Sequence, residues 1–258
     1  MPLTAGQQEI IEEIIRKCLR DKFRNYDPES KHKPFHYRLL GKDRMALYSF
    51  IQSLNTNFGK AIFEPVSETL ARLNFMHSTR EYKVPNQISK AAQSEIQDIM
   101  NDLTIGHGPD KAKETERIRI VCQQGEMRKF KPTEVDLFFR DQKGTVYLFD
   151  IKTAKPNKGN FKEFKRTLLE WVASYLADDP EADVRSFIAI PYNPYEPEPY
   201  ERWTMKGMLD LNHELKVAEE FWNFLGCGNV YDDLLGCFEN VGIELKPEID
   251  DYFSRFNN

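Results

Sequence analysis

The sequence lacks the local signatures of several common protein classes. Its four cysteines form no Cys-x-x-Cys pair, which argues against a zinc ribbon and against a disulfide-stapled fold. It contains neither a GxxxxGK[ST] phosphate loop nor a GxSxG nucleophile motif. No apolar run approaches the roughly 20 residues that cross a bilayer, and the N-terminus has no signal-peptide pattern. We therefore predict an intracellular protein with no membrane partner.

The charged residues that are present are distributed unevenly. The 258 residues carry a formal net charge of −5. Residues 196–258 contain 5 Lys or Arg and 14 Asp or Glu, whereas residues 1–195 contain 31 and 27. Binding to DNA depends on where charges lie, so the acidic total does not exclude a nucleic-acid partner. We expect the acidic C-terminal part to lie away from any DNA-binding cleft.

Helical periodicity dominates both ends of the chain. We predict a single domain with an N-terminal helical part (1–60), a core (61–190) and a mainly helical C-terminal part (191–258). Thr4 is the expected N-cap of the first helix, and Asn57–Gly59 is expected to interrupt the chain between two helices. The predicted helices before the core strands cover residues 4–26, 43–54, 65–75 and 89–103.

The middle of the sequence changes to strand-like patterns rich in β-branched and aromatic residues. Predicted strands cover residues 117–122, 134–140, 145–152 and 184–190. A helix over 162–177 separates the last two of them. Two strands in a hairpin, a crossover helix and a further strand predict a mixed α/β fold, in which a mixed sheet is flanked by helices.

Two acidic residues, Asp136 and Asp150, stand within apolar strand sequence. A charge there is costly unless it is paired or binds a cation. Strand geometry puts Asp150 and Lys152 on one face. If a three-residue loop ends at Gly144, Asp136 lies opposite Asp150; a four-residue loop would put the two carboxylates on opposite faces. We favour the three-residue loop, because Gly144 readily adopts the left-handed conformation that it requires.

Two carboxylates and an ammonium on one sheet face suit metal-assisted hydrolysis of a phosphodiester. The carboxylates would bind Mg²⁺ or Mn²⁺, which activates water, and Lys152 would stabilise charge on the phosphate. The [Asp/Glu]-x-Lys string alone is weak evidence, because it occurs seven times in the chain. A buried ion pair between Lys152 and Asp150 or Asp136 is the structural alternative.

The residues Asp136…Asp150-Ile151-Lys152 resemble the PD-(D/E)xK nuclease signature. The predicted order of helix, strand, hairpin, helix and strand is similar to the αβββαβ core of that superfamily. Residues 40–47, 53–59 with 62–64, and 147–171 resemble, more specifically, a small family of type II restriction endonucleases that recognise GGNCC. The resemblance covers roughly residues 40–200.

This resemblance implies a metal site and a catalytic lysine. Asp136, Asp150 and the backbone carbonyl of Ile151 would be metal ligands, and Lys152 would be the catalytic residue. Glu134 stays open as an alternative to Asp136, although strand parity and distance favour Asp136. The superfamily often adds an acid from the first core helix, and here Glu64 or Glu68 would qualify.

The resemblance also implies a substrate and partners. We expect a homodimer that cleaves both strands of double-stranded DNA and leaves 5′-phosphate ends, in a prokaryotic cytoplasm with a DNA methyltransferase gene nearby. The basic residues expected to contact DNA are Lys155, Lys158, Lys162 and Arg202, with Lys165 and Arg166 as further candidates. The alternatives are a structure-specific repair nuclease on the same fold, or a non-catalytic DNA-binding protein with a buried Asp–Lys cluster.

Overall fold

The N-terminal part of the protein is built from helices. The first of them, α1 (Ala5–Asn25), begins at the predicted N-cap: Thr4 Oγ1 accepts a hydrogen bond from the Gln7 N–H at 3.3 Å, and Gln7 Oε1 accepts one from the Thr4 N–H at 2.8 Å. The computed structural model describes residues 2–27, 33–152, 160–200 and 203–255, and only the backbone at 56–57 and 203–204.

The next helices form one continuous unit that leads into the sheet. After α2 (Pro34–Leu40) come α3 (Lys42–Phe58), a π-helical segment (Gly59–Phe63) and α4 (Glu64–Asn74). The predicted interruption at Asn57–Gly59 is therefore wrong. Gly59 adopts ordinary right-handed helical geometry, and its carbonyl accepts the Glu64 N–H, so the chain continues without a turn.

A helical insertion follows the first strand, β1 (Met76–Tyr82). Its elements are β2 (Gln87–Ser89), α5 (Lys90–Thr104), α6 (Lys111–Val121) and β3 (Met127–Lys129).

The strand predicted over 117–122 is wrong, because most of it lies in α6. The Asp110 side chain caps that helix by accepting the Lys113 N–H at 3.1 Å. Ile118 is buried, while Arg117 reaches from α6 to Asp102 at 2.9 Å. A short alternation of apolar and charged residues does not separate a strand from a helix that buries few residues.

The central sheet has five strands in the order β1-β4-β5-β6-β7. β1, β4 and β5 pair antiparallel, and β5, β6 and β7 pair parallel. The helix α7 supplies the crossover from β5 to β6, so the prediction of a mixed α/β fold with flanking helices is confirmed. The bounds of these elements are β4 (Val135–Arg140), β5 (Val146–Ile151), α7 (Phe161–Asp178), β6 (Val184–Ile190) and β7 (Leu215–Val217).

Helices form most of the described chain beyond β6. They are α8 (Trp203–Lys206), α9 (Glu219–Gly226), α10 (Tyr231–Glu244) and α11 (Lys246–Ser254). α10 packs against α1. No helix in the described ranges is long and apolar enough to cross a membrane.

The sheet separates two hydrophobic cores. On one face, Leu148 and Phe138 pack in a core with residues of α5, α6 and α7. On the other face, Phe139 and Phe149 pack in a core with residues of α1, α4, α9 and α10. Because side chains alternate along a strand, Asp136 and Asp150 lie on the face of Phe138 and Leu148.

Substitution of Gly144 tests how strongly this residue stabilises the turn between β4 and β5. Gly144 has φ +86°, and no atom lies within 4 Å of an added Cβ, so Gly144→Ala introduces backbone strain without a clash. We expect the free energy of unfolding, measured by urea denaturation, to fall by about 1 kcal/mol. Gly236→Ala in α10 is the matched control, because its added Cβ is equally unobstructed and a helical alanine should stabilise by about 0.5–1 kcal/mol. Equal shifts in both variants would contradict this account.

Candidate active site

The register of the β4–β5 hairpin brings the two predicted aspartates together. Leu137 pairs with Phe149 and Arg140 with Val146, so one further step places Asp136 opposite Asp150. The Gly144 N–H donates to the Asp141 carbonyl at 3.1 Å, and the Asp141 N–H donates to the Thr145 carbonyl at 3.1 Å. These bonds and the positive φ of Gly144 confirm the expected three-residue loop.

Asp136 is half-buried and holds the end of the neighbouring strand. Its Oδ2 accepts the Ile151 N–H at 2.7 Å. Burial and the charge of Asp150 raise the pKa of Asp136 to about 7, although the Ile151 N–H acts in the opposite direction. The carboxyl is therefore held in place, and its negative charge is disfavoured by its surroundings.

Asp150 and Lys152 form an ion pair at the carboxyl end of β5. Lys152 Nζ lies 2.5 Å from Asp150 Oδ1, and the Asp150 side chain is buried while that of Lys152 is 31% exposed. The same ammonium lies 5.1 Å from the ring centroid of Phe164 on α7. Lys152 thus pairs with a buried carboxylate while its own side chain stays partly exposed to solvent.

Of the two candidate acids on the first core helix, Glu64 is the one whose charge interacts with Asp136 and Lys152. Glu64 is buried at the start of α4; burial raises its pKa, and Lys152 is among the cations that lower it. The charge of Glu64 also contributes to the raised pKa of Asp136. Glu68 instead bonds to Arg72 at 2.9 Å and Arg80 at 2.8 Å, so arginines already neutralise it.

The remaining predicted site residues lie in different surroundings. Glu134, the alternative to Asp136, is exposed and lies 3.7 Å from Lys83. Lys162 is exposed in the first turn of α7. Lys155, Lys158 and Arg202 fall outside the described residues.

The expectation that Lys165 contacts DNA is wrong, because its side chain is completely buried. It pairs with Glu114 and, at 2.6 Å, with Glu214. Lys111 Nζ lies 3.0 Å from the other oxygen of Glu214, and the two lysines lower the pKa of that glutamate against the effect of burial. The sequence does contain a signal for this burial. Lys165 precedes the buried Leu168 by three residues, so the two side chains lie on the same side of α7.

The C-terminal acids pair with the first helix. Arg16 Nε lies 2.9 Å from Glu244, and Arg20 Nη2 lies 2.8 Å from Glu248. Part of the basic charge near the N-terminus is therefore neutralised within the protein and is not a separate positive surface.

The pair Asp136 and Asp150 suits a hard divalent cation. Within the described ranges, no group of three or more His, Cys, Asp or Glu residues is arranged to hold a metal ion. Mg²⁺, however, usually takes only one or two protein carboxylates and keeps waters or substrate phosphates as its other ligands. A divalent cation would also offset the repulsion that raises the pKa of Asp136. The donor set therefore fits this ion.

A mixed sheet with paired acids and a lysine at the open end of its β4–β5 hairpin is compatible with a restriction-endonuclease-like fold. Comparison with known proteins places the chain among the type II restriction endonucleases. Specifically, the family described as "Type II restriction endonuclease, HinfI" matches residues 3–242, and the chain belongs to this family. The protein is therefore a site-specific deoxyribonuclease, as expected.

Individual relatives agree with this assignment. The chain is 26% identical to the type II restriction enzyme HgiEI of Herpetosiphon aurantiacus, across 84% of this chain and 80% of the relative. It is also 26% identical to the type II restriction enzyme MjaII of Methanocaldococcus jannaschii, across 100% of this chain and 75% of the relative. A non-catalytic protein and a structure-specific repair nuclease are both disfavoured by these matches.

The raised pKa of Asp136 predicts a pH-dependent stability in metal-free buffer. Between the unfolded pKa of about 3.9 and the folded pKa of about 7, folded Asp136 keeps a proton that the unfolded chain releases. The contribution of Asp136 to the free energy of unfolding is therefore fully present below pH 4. It is lost as the pH rises through 7, and the free energy of unfolding falls by at most about 1.4 kcal/mol per pH unit. Asp136→Asn keeps an acceptor for the Ile151 N–H and should remove this component.

The measurement is urea denaturation of wild type and Asp136→Asn from pH 4.5 to 8 with a chelator present. Glu134→Gln, an exposed acid two residues earlier, should retain the wild-type pH profile. Parallel profiles for wild type and Asp136→Asn would show that Asp136 is not the titrating group.

Proposed function

We propose that this protein is a Mg²⁺-dependent nuclease of the PD-(D/E)xK type that uses Asp136, Asp150 and Lys152 to hydrolyse both strands of double-stranded DNA. The observation that carries the proposal is the hairpin register, which sets Asp136 opposite Asp150 on the face from which Lys152 reaches Asp150. Family membership supports sequence-specific cleavage, and the residues supply a chemical route to it.

The two aspartates would hold Mg²⁺, or Mn²⁺ in its place, with the Ile151 carbonyl as a third ligand. The N–H and C=O of one residue in extended backbone leave on the same side, so the bond from Ile151 N–H to Asp136 supports this ligand. Glu64 is the acid best placed to assist. The bound cation would supply a Lewis acid that activates water and neutralises charge on the scissile phosphate.

Lys152 would act on the reacting groups themselves. An ammonium has three donors, so Lys152 can keep its bond to Asp150 while donating to a phosphate oxygen or to the attacking water. The hydrogen bond from the Ile151 N–H would keep the Asp136 carboxylate in one position during the reaction. Hydrolysis that breaks the bond between phosphorus and the 3′-oxygen leaves the 5′-phosphate ends that we propose.

The proposed substrate is a two-fold-symmetric GGNCC site, and the proposed active form is a homodimer. A two-fold-symmetric sequence is naturally read by a two-fold-symmetric protein. The resemblance of residues 40–47 and of residues 53–59 with 62–64 to enzymes that recognise GGNCC supports this site. Backbone contacts are proposed for Lys155, Lys158, Lys162 and Arg202, and the host would be a prokaryotic cytoplasm with a neighbouring DNA methyltransferase gene.

The catalytic assignment predicts a selective loss of cleavage. Lys152→Ala and Asp150→Ala should each lower the rate of plasmid cleavage in Mg²⁺ at least about 100-fold, because each removes a group that acts on the reacting phosphate or its metal. Lys143→Ala is the matched control: it lies in the other Asp-x-Lys string of the hairpin, is exposed in the turn, and should cleave like wild type. Full activity in Lys152→Ala would exclude this site.

The proposed recognition sequence can be tested with defined DNA. Two linear duplexes that differ only in one GGNCC site are incubated with wild-type protein and Mg²⁺, and the fragment ends are sequenced. We expect cleavage only of the duplex that carries the site, with ends that ligase joins directly because they bear 5′-phosphates. Discrete cleavage at another sequence would overturn the GGNCC assignment and retain the nuclease.

A further inference from the structure

The outer surfaces of α2 and α3 carry large apolar side chains that are exposed among the residues the structure describes. Phe35 is 85% exposed and Leu39 is 82% exposed, and α2 contains no buried residue. We name the set the α2–α3 apolar face. Its members are Phe35, Leu39, Leu40, Leu47, Tyr48 and Ile51.

The members of this face come from two neighbouring helices. Phe35 and Leu39 are separated by four residues on α2, and Leu47 and Ile51 by four residues on α3, so each pair lies on one side of its helix. The two helices contact each other, and Lys33 Nζ at the start of α2 lies 5.6 Å from the ring centroid of Tyr48 on α3. Single exposed apolar residues are common on proteins, but a cluster of this size is not.

α2 is too short to be stable by itself. A seven-residue helix with no side-chain hydrogen bond at its N-cap gains little from its own backbone bonds and depends on packing. Its largest side chains point away from the rest of the protein. We therefore expect the apolar side of α2 to be covered in the functional assembly.

The exposed area suits a second copy of this chain. Large apolar side chains expose on the order of 150–250 Å² when free, so the six together offer roughly 600–700 Å² at their observed exposures. A standard interface buries about 800 Å² on each partner. An apolar patch is also self-complementary, which an isologous two-fold contact requires and which a charged patch would not provide.

We infer that the α2–α3 apolar face is the two-fold interface of a homodimer. The inference deepens the proposed function, on which it rests, by naming the surface that joins two active sites. α3 runs through the π-helical segment into α4, which carries Glu64. Docking of two such units sets the separation of the two sites, and with it the distance between the two cleaved bonds.

The test is analytical ultracentrifugation of full-length wild type and Leu39→Glu over a range of concentrations. We expect a wild-type dimer whose dissociation constant rises at least about thirtyfold in Leu39→Glu. Ile120→Glu is the matched control, because Ile120 is a 63% exposed apolar residue on α6, outside the face, and should leave the dimer unchanged. Since Leu39 is already exposed, its replacement should leave the melting temperature of the monomer unchanged.

Leu47→Glu, on the other helix of the face, provides an independent second variant. A monomeric wild type, or a dimer that neither variant weakens, would overturn the inference. The cleavage assay is scored separately on wild type. A dimer that both variants disrupt but that has no nuclease activity would retain the interface and reject the proposed nuclease. A wild type that cleaves DNA as a monomer would reject the interface and the proposed dimer, and would retain the nuclease assignment.

Discussion

The pairing register of β4 and β5 is the constraint on which the site depends. A shift of one residue would move Asp136 to the opposite face from Asp150 and separate the two carboxylates. The other face of the sheet opposes that shift: Phe139 stacks on Phe149 at 5.7 Å, and Phe149 stacks on Phe187 at 4.9 Å, within a buried core. Hydrophobic packing on one side thus fixes the polar arrangement on the other, and the site needs no interactions of its own to choose the register.

A second polar arrangement, fully buried, holds α7, the helix that carries Phe164 beside the proposed catalytic Lys152. Lys165 joins α7 to Glu114 on α6 and to Glu214 just before β7, and Lys111 on α6 pairs with the same Glu214. Burying four charges is costly, and it is tolerated here because each has a close partner of opposite sign. Since Phe164, one residue earlier on α7, lies beside Lys152, the network helps to position one wall of the candidate site without contacting Asp136, Asp150 or Lys152.

Sequence reasoning succeeded where one strong periodicity decided the structure. The hairpin strands, α7 and β6 have dense apolar patterns, and the turn chemistry of Gly144 selected the register. The first core strand, β1, was missed because it is polar, and its pairing with β4 is irregular between Met76 and Thr79. The choice between Glu64 and Glu68 could not be made either, because it depends on where Arg80 lies in three dimensions.

The distribution of charge in space also differs from its distribution along the chain. The basic start of the chain and its acidic end face each other through α1 and the C-terminal helices, as in the pair Arg16 and Glu244, so both lose much of their long-range field. A chain with a net charge of −5 can still attract phosphate if uncompensated cations lie near the site. The exposed Lys162 at the start of α7 is such a position, whereas Lys152 is already paired with Asp150. In the proposed function, affinity for DNA would therefore depend on where exposed cations lie relative to the paired aspartates, and not on the overall charge.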